Sequence, residues 1–116
     1  MTTLEILKGV RELLTDPAHW TRGVLARIGQ RRRPATPLSD EATCWCWVGA
    51  VYRAAGPSPH DVDINAAGIE GAFDAFANTI GIHPFNISHW NDNRRRTHSQ
   101  VLDATDRTIA RLEVQP

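Results

Sequence analysis

The sequence predicts a mainly α-helical fold: a compact domain of four helices around a buried central helix at about residues 40–55, with a small β-hairpin at about residues 24–35. Three observations lead there. Residues 39–56 are the most apolar stretch of the chain, opened by Ser39, a good N-cap, and closed by Gly56-Pro57, a helix stop. Three further segments repeat apolar residues at helical spacing. Between the first helix and the central one lies a run with no helical stripe and a Gly29-Gln30 turn signal.

The first helix is expected over about residues 3–15. Thr2-Thr3-Leu4-Glu5 has capping-box form, and Ile6, Leu7, Val10, Leu13 and Leu14 fall on one stripe. Asp16-Pro17 ends it, because the residue before a proline avoids the helical region. Two short runs, Val24–Ile28 and Arg31–Ala35, then pair as a hairpin, which is marginal alone and needs a helix beneath it.

In the central helix Asp40 and Glu41 suit the positive end of the dipole. Apolar or small side chains occupy nearly every face, so neighbours should bury it on several sides. Cys46 then lies about two turns inside the helix, on a face with Gly49, Ala50 and Arg53. After a loop from Pro57, Asp61 or Asp63 caps a helix at about 61–80, ended by Gly81. Gly68, Gly71, Ala72 and Ala75 bring small residues to one face and permit close approach of a neighbour. The two glycines each cost roughly 1 kcal/mol against alanine, which predicts a break near them. Residues 83–90 read as an irregular connection with Phe85 and Ile87 pointing one way, and Asn91-Asp92-Asn93 as a turn. Thr97-His98-Ser99-Gln100 has capping-box form, and Val101, Leu102, Thr105, Ile109 and Leu112 give the stripe of a last helix, about 98–113. Asp103 and Arg107 support it at i, i+4.

With 116 residues, 41% of them hydrophobic, the chain forms one domain with one core, residues 1–116. Thirteen basic and thirteen acidic side chains cancel, so a nucleic acid or an anionic membrane would need a local patch. No apolar run approaches the ~20 residues of a membrane span and no leader pattern opens the chain, which points to the cytoplasm and to no membrane partner. Cys44 and Cys46, at i, i+2 on one helix, would diverge by roughly 160° and stay free thiols.

Three separated stretches carry a resemblance. Trp20-Thr21-Arg22-Gly23-Val24-Leu25-Ala26-Arg27, then Ala42 to Val51 with its Trp-Cys-x-x-Gly-Ala, then Ile87 to Asn93 with its Trp-Asn-Asp and Arg96-Thr97 to Leu102, resemble an uncharacterised domain-of-unknown-function family of small bacterial and phage-associated proteins. The resemblance spans about residues 18–110. It implies a bacterial or phage setting and supplies no mechanism.

The residue types themselves suggest several chemistries. Cys46 as nucleophile, His89 or His98 as base and Asp92 as orienting acid would follow the chain order of papain-like hydrolases. Against it, a free cysteine is more often a small buried apolar residue, so these are weak catalytic candidates. His19, His60, His83, His89 and His98 show no metal-binding spacing, and neither a metal nor another cofactor is expected. Arg31-Arg32-Arg33 and Arg94-Arg95-Arg96, if they share one side, could grip phosphates while Trp20 or Trp90 stacks bases. Their counterweight, Asp61, Asp63, Glu70 and Asp74, lies in residues 57–90, which hold no lysine or arginine. Ion pairs of Asp92 with Arg96, or of Arg53 with an acid, are also expected. Surplus tryptophan beside arginine favours a binding surface of Trp20, Arg22, Trp90, Asn91, Asp92, Arg94, Arg95 and Arg96. The leading expectation is therefore a protein-interaction module rather than an enzyme, in the form of a phage- or mobile-element-encoded regulator or inhibitor that binds a partner protein. Nucleic-acid binding and Cys-His hydrolysis are the alternatives, and a homodimer is compatible with the same polarity.

Overall fold

The structure, a computed structural model, describes residues 1–29, 32–56 and 65–114. Five α-helices and a three-stranded antiparallel sheet follow in the order α1 (Thr3–Leu13), β1 (Ala26–Ile28), β2 (Arg33–Ala35), β3 (Ala42–Trp45), α2 (Trp47–Ala55), α3 (Ala66–Ile80), α4 (Ile87–Asp92) and α5 (His98–Val114). Short 3-10 turns at Pro17–His19 and Pro84–Asn86 complete the described elements. The fold is thus mainly helical with a small sheet, but five helices replace the expected four.

Helices with local signals form where those signals stand. Thr2 and Glu5 make a reciprocal capping box at the start of α1. Thr97 and Gln100 do the same before α5, through bonds of 3.1 and 3.0 Å. Asp103 accepts from Arg107 at 3.1 Å along α5, as the i, i+4 spacing predicts. Gly81 closes α3 in the left-handed conformation. The hairpin is present, with Ala26 opposite Ala35 and Ile28 opposite Arg33.

The expected central helix is shorter than 40–55. Residues 42–45 form β3, which pairs with β1 and gives the strand order β2-β1-β3. Thr43, Cys44 and Trp45 are weak helix formers that fit a pleated, half-buried surface. Cys46 is the N-cap of α2, and its Sγ accepts from Gly49 N at 3.3 Å. It therefore stands at the helix start, not two turns inside. Helix α2 is still packed from several sides, by α1, α3, α4 and β3. Both cysteines are buried free thiols.

Helix α3 is continuous across Gly68 and Gly71, where a break was expected. A Cβ on Gly71 would come within 2.1 Å of Thr3 Oγ1, and one on Gly68 within 2.7 Å of Met1 O, so both glycines admit the start of α1. The expected caps Asp61 and Asp63 lie outside the described residues. Residues 87–92, expected as connection and turn, are α4. Phe85 and Ile87 do not point the same way: Phe85 is 88% exposed and Ile87 is fully buried. The 3-10 turn at Pro84–Asn86 breaks the strand-like alternation that would have aligned them.

At the core Trp47 stacks on Phe76, with centroids 3.8 Å apart, and Trp47 Nε1 donates to Thr105 Oγ1 at 3.0 Å. Ile6, Leu7, Val10 and Leu14 of α1 and Val101 and Ala104 of α5 close around that pair. Truncating a ring so buried costs about 3–5 kcal/mol.

The residue that leads into β1 packs directly on α2 at Gly49. A Cβ there would sit 1.9 Å from the Leu25 carbonyl oxygen, a backbone atom that also accepts from Cys46 N at 3.2 Å. Gly49→Ala must push apart two backbones, and chemical denaturation should show a loss of about 3 kcal/mol.

Candidate functional site

The predicted surface residues come together where residues 20–27 cross the start of α2 and meet α4. Asn91, fully buried, is the joint. Its Oδ1 accepts from Trp20 Nε1 at 2.8 Å and from Trp47 N at 3.1 Å; its Nδ2 donates to Thr21 O at 3.1 Å and Asp92 Oδ1 at 3.0 Å. This is the full bonding capacity of a carboxamide, and only one orientation of the amide pairs every atom. Trp47 N is one of the orphan N–H groups at the start of α2, so Asn91 serves as a remote cap. Asp92 Oδ1 also accepts from Gly23 N at 2.9 Å. Asp92 makes no ion pair with Arg96, and Arg53 bonds the carbonyls of Pro37 and Ser39 rather than an acid. In both places neutral backbone groups lie closer than the expected opposite charge.

The tryptophans divide by role. Trp47 is fully buried, and Trp45 is 5% exposed with its Nε1 bonded to Pro37 O at 3.0 Å. Trp20 and Trp90 are half-buried, and a guanidinium covers a face of each: Arg22 lies 4.5 Å from the Trp20 centroid and Arg96 lies 4.0 Å from that of Trp90.

Arginines continue from there in a chain. Arg22 Nη2 donates to Arg96 O, and Arg96 Nε donates to Trp90 O. Arg27 donates from Nη2 to Arg22 O and from Nη1 to Arg32 O, at 3.0 and 2.9 Å. Thr21 Oγ1 accepts from both Arg27 Nε and Arg32 Nη2, at 3.0 and 3.1 Å. Arg96, Arg22, Arg27 and Arg32 thus form one continuous ridge, which brings described members of both arginine runs onto one face; Arg31 lies outside the described residues. Arg32 has φ 57°, a left-handed conformation that costs a non-glycine residue roughly 1–2 kcal/mol. Its carbonyl and guanidinium are both held by bonds within the ridge.

Every one of these bonds ends on a neutral acceptor. Among the described residues the ion pairs are Lys8–Glu113, Arg11–Asp106 and Arg107–Asp103, none of them on the ridge. Arg33, Arg94 and Arg95 are exposed beside it. From Trp90 and Arg96 a polar groove of about 550 Å³ runs along α5 past Ser99, Gln100, Asp103 and Arg107.

Trp20, Arg22, Trp90 and Arg94–Arg96 are the residues the sequence itself marks for this face. Thr21 and Arg27, the link between the two runs, carry only a non-local signal: Arg27 alternates with buried Ala26 in β1 and so leaves the sheet on the side where Thr21 passes. Asn91, expected at the surface, is internal.

The weak catalytic candidates are not joined. His89 is exposed on α4. His98 Nε2 lies 2.6 Å from Leu14 O and so carries the proton it donates there, while its ring leans on Trp20. Burial pushes the Cys46 thiol up; the Gly49 N–H bond pulls the other way, and the Asp92 carboxylate adds to the rise. A helix N-terminus ordinarily favours thiolate, but here desolvation wins. Among the described residues no group of three or more His, Cys, Asp or Glu side chains could hold a metal ion, and no helix is long and apolar enough to cross a membrane.

Fold and site together define a compact, mainly helical domain with a small antiparallel sheet and an arginine ridge resting on a buried carboxamide. The chain belongs to the family of unknown function DUF6197, which it matches over residues 1–111. No curated protein and no solved structure matches it.

Two measurements test this account. Asn91→Ala leaves Trp20 Nε1, Trp47 N and Thr21 O without their partner in a dry place, and urea unfolding should show a loss of about 3 kcal/mol or more. A raised Cys46 thiol keeps its proton after the unfolded chain has lost its own. Stability should therefore be complete below the ordinary thiol range and fall as pH rises through the shifted value, a decline that Cys46→Ser removes while keeping a good N-cap.

Proposed function

We propose that this chain is a protein-interaction module and that its working surface is the arginine ridge with the adjoining groove, recognising an acidic face of a partner protein. One observation carries the reading: Arg22, Arg27, Arg32 and Arg96 are fixed in a row by neutral acceptors, with Arg94 and Arg95 beside them and no carboxylate paired to any among the described residues. Guanidiniums held this way are pre-organised and keep their full charge, which suits bidentate pairing with carboxylates. The groove adds Ser99, Gln100 and Asp103, a mixed set of donors and acceptors that fits a polypeptide better than a uniformly anionic backbone.

The bacterial and phage setting suggested by the resemblance gives the finer form of this reading: a phage- or mobile-element-encoded regulator or inhibitor, acting in the cytoplasm by occupying its partner. We take the Trp45-Cys46…Gly49-Ala50 and Trp90-Asn91-Asp92…Arg96-Thr97 pieces as the signature of the same design. In support, Gly49 admits the Leu25 carbonyl, Asn91 caps α2, and Arg96 anchors Arg22.

Nucleic acid is the second reading, favoured by the union of the two arginine runs on one face. Phosphate contact fits the ridge, whereas base stacking does not, because Arg22 and Arg96 already cover a face of each half-buried tryptophan. Hydrolysis by Cys46 has less support, since neither His89 nor His98 bonds its thiol.

Arg94 and Arg95 make no side-chain bond among the described residues, so reversing them tests the surface without disturbing the fold. A partner captured from the native cell by the wild-type chain should be lost on Arg94→Glu/Arg95→Glu, and its undiminished retention would sink the proposal. Fluorescence anisotropy with mixed-sequence oligonucleotides decides the second reading: binding that weakens steeply with added salt supports it, and no binding at low salt removes it.

A further inference from the structure

A second surface stands apart from the ridge. Phe85 and Val114, 88% and 82% exposed, are the two most exposed large apolar side chains among the described residues. Pro84 and Leu112, near them in the chain, line a groove of about 490 Å³ between α3 and α5, together with Ala75, Ala77 and Ile82 among others. Phe85 directly follows Pro84, and Val114 lies about one helical turn beyond Arg111 on α5. None of the ridge arginines lines this groove.

The Phe85 ring is held outward. Its backbone N donates to His83 Nδ1 at 3.1 Å, and the His83 ring stacks on it with centroids 4.9 Å apart and planes at 26°. A ring fixed in this way loses little freedom when it is inserted into a partner. The groove also carries one acid and one base from its two helices, Asp74 of α3 and Arg111 of α5. Neither has an opposite charge paired to it among the described residues; Arg111 reaches only Thr79 Oγ1, at 3.4 Å.

The groove thus carries both an acid and a base, and the exposed Phe85 follows directly on one of its lining residues, Pro84. In a two-fold contact the same patch serves both copies, so residue i meets j while j meets i. The occupant that satisfies both halves of this patch at once is a second copy of the chain. We infer that the groove between α3 and α5 is a two-fold self-association surface, with Phe85 of each copy seated in the groove of the other and Asp74 of each facing Arg111 of the other.

Sedimentation velocity of the full chain across micromolar to millimolar concentration tests it. The wild-type mass rises from one chain to a plateau at two. Phe85→Asp, which within its own copy gives up the stack on His83, weakens the dimer at least about tenfold, the scale of an aromatic anchor lost from an interface centre. Asp74→Arg and Arg111→Asp each weaken it, and the two together restore it, a readout that stands if Phe85→Asp folds poorly. A one-chain mass throughout, growth past two chains, or a dimer indifferent to Phe85→Asp or to the charge reversals overturns the inference.

Discussion

The arrangement depends on one buried carboxamide. For residues 20–25 to lie across the start of α2, Trp20 Nε1, Thr21 O and Trp47 N must all leave water, and each unpaired group would cost about 1–3 kcal/mol. Asn91 satisfies the three together, and its remaining N–H holds Asp92, which in turn holds Gly23. A hydroxyl offers one donor, and a carboxylate would accept everywhere and leave Thr21 O unmet. The crossing also needs Gly49, because a side chain there would occupy the position of the Leu25 carbonyl. Asn91 and Gly49 are thus two conditions on one event: the docking of the sheet and its leading segment on α2.

What the sequence made legible follows from the range of each signal. Helices α1 and α5 carry capping boxes and clean stripes, both of which act within a few residues, and their boundaries were readable to within one or two positions. The hairpin was readable from its turn. Strand β3 was not, because Ala42 to Trp47 is apolar or small at almost every position, and periodicity cannot separate a buried strand from a buried helix there. Ser39 and Asp40 looked like a helix start, while the cap in use is a thiol, an uncommon choice that depends on Gly49 N lying within reach. The site was half legible for the same reason. Arginine and tryptophan in short runs drew attention to Arg22, Trp90 and Arg94–Arg96, but the link through Thr21 and Arg27 exists only once the hairpin has folded over the loop.

The ridge has its own energetic logic. Like charges roughly 6 Å apart repel by only about 0.7 kcal/mol at the dielectric of water. Each guanidinium here gains at least one bond to a carbonyl or hydroxyl, worth about 1 kcal/mol or more. The row is therefore stable without an anion bonded to it, and Asp92, the acid beside it, is taken up instead by Gly23 N and Asn91 Nδ2. Internal bonds fix the direction of each guanidinium but leave its charge uncompensated. Exposed ion pairs, by contrast, would have neutralised the face for little gain in stability.

That distinction bears on the kind of partner the face suits. Diffuse phosphate binding draws on flexible, well-solvated cations, each contributing counterion release with little demand on geometry. Here Arg22 and Arg96 are anchored on tryptophan faces and Arg27 spans two carbonyls, so the freedom such binding tolerates has been removed. Arg32 is further held in a backbone conformation that a non-glycine residue adopts only at a cost. Rigid, oriented guanidiniums discriminate between geometries, and they pair bidentately with acidic oxygens that are themselves held in place, as carboxylates on a folded surface are. We therefore propose that the rigidity beginning at Asn91 favours an acidic protein face over a chain of equivalent phosphates.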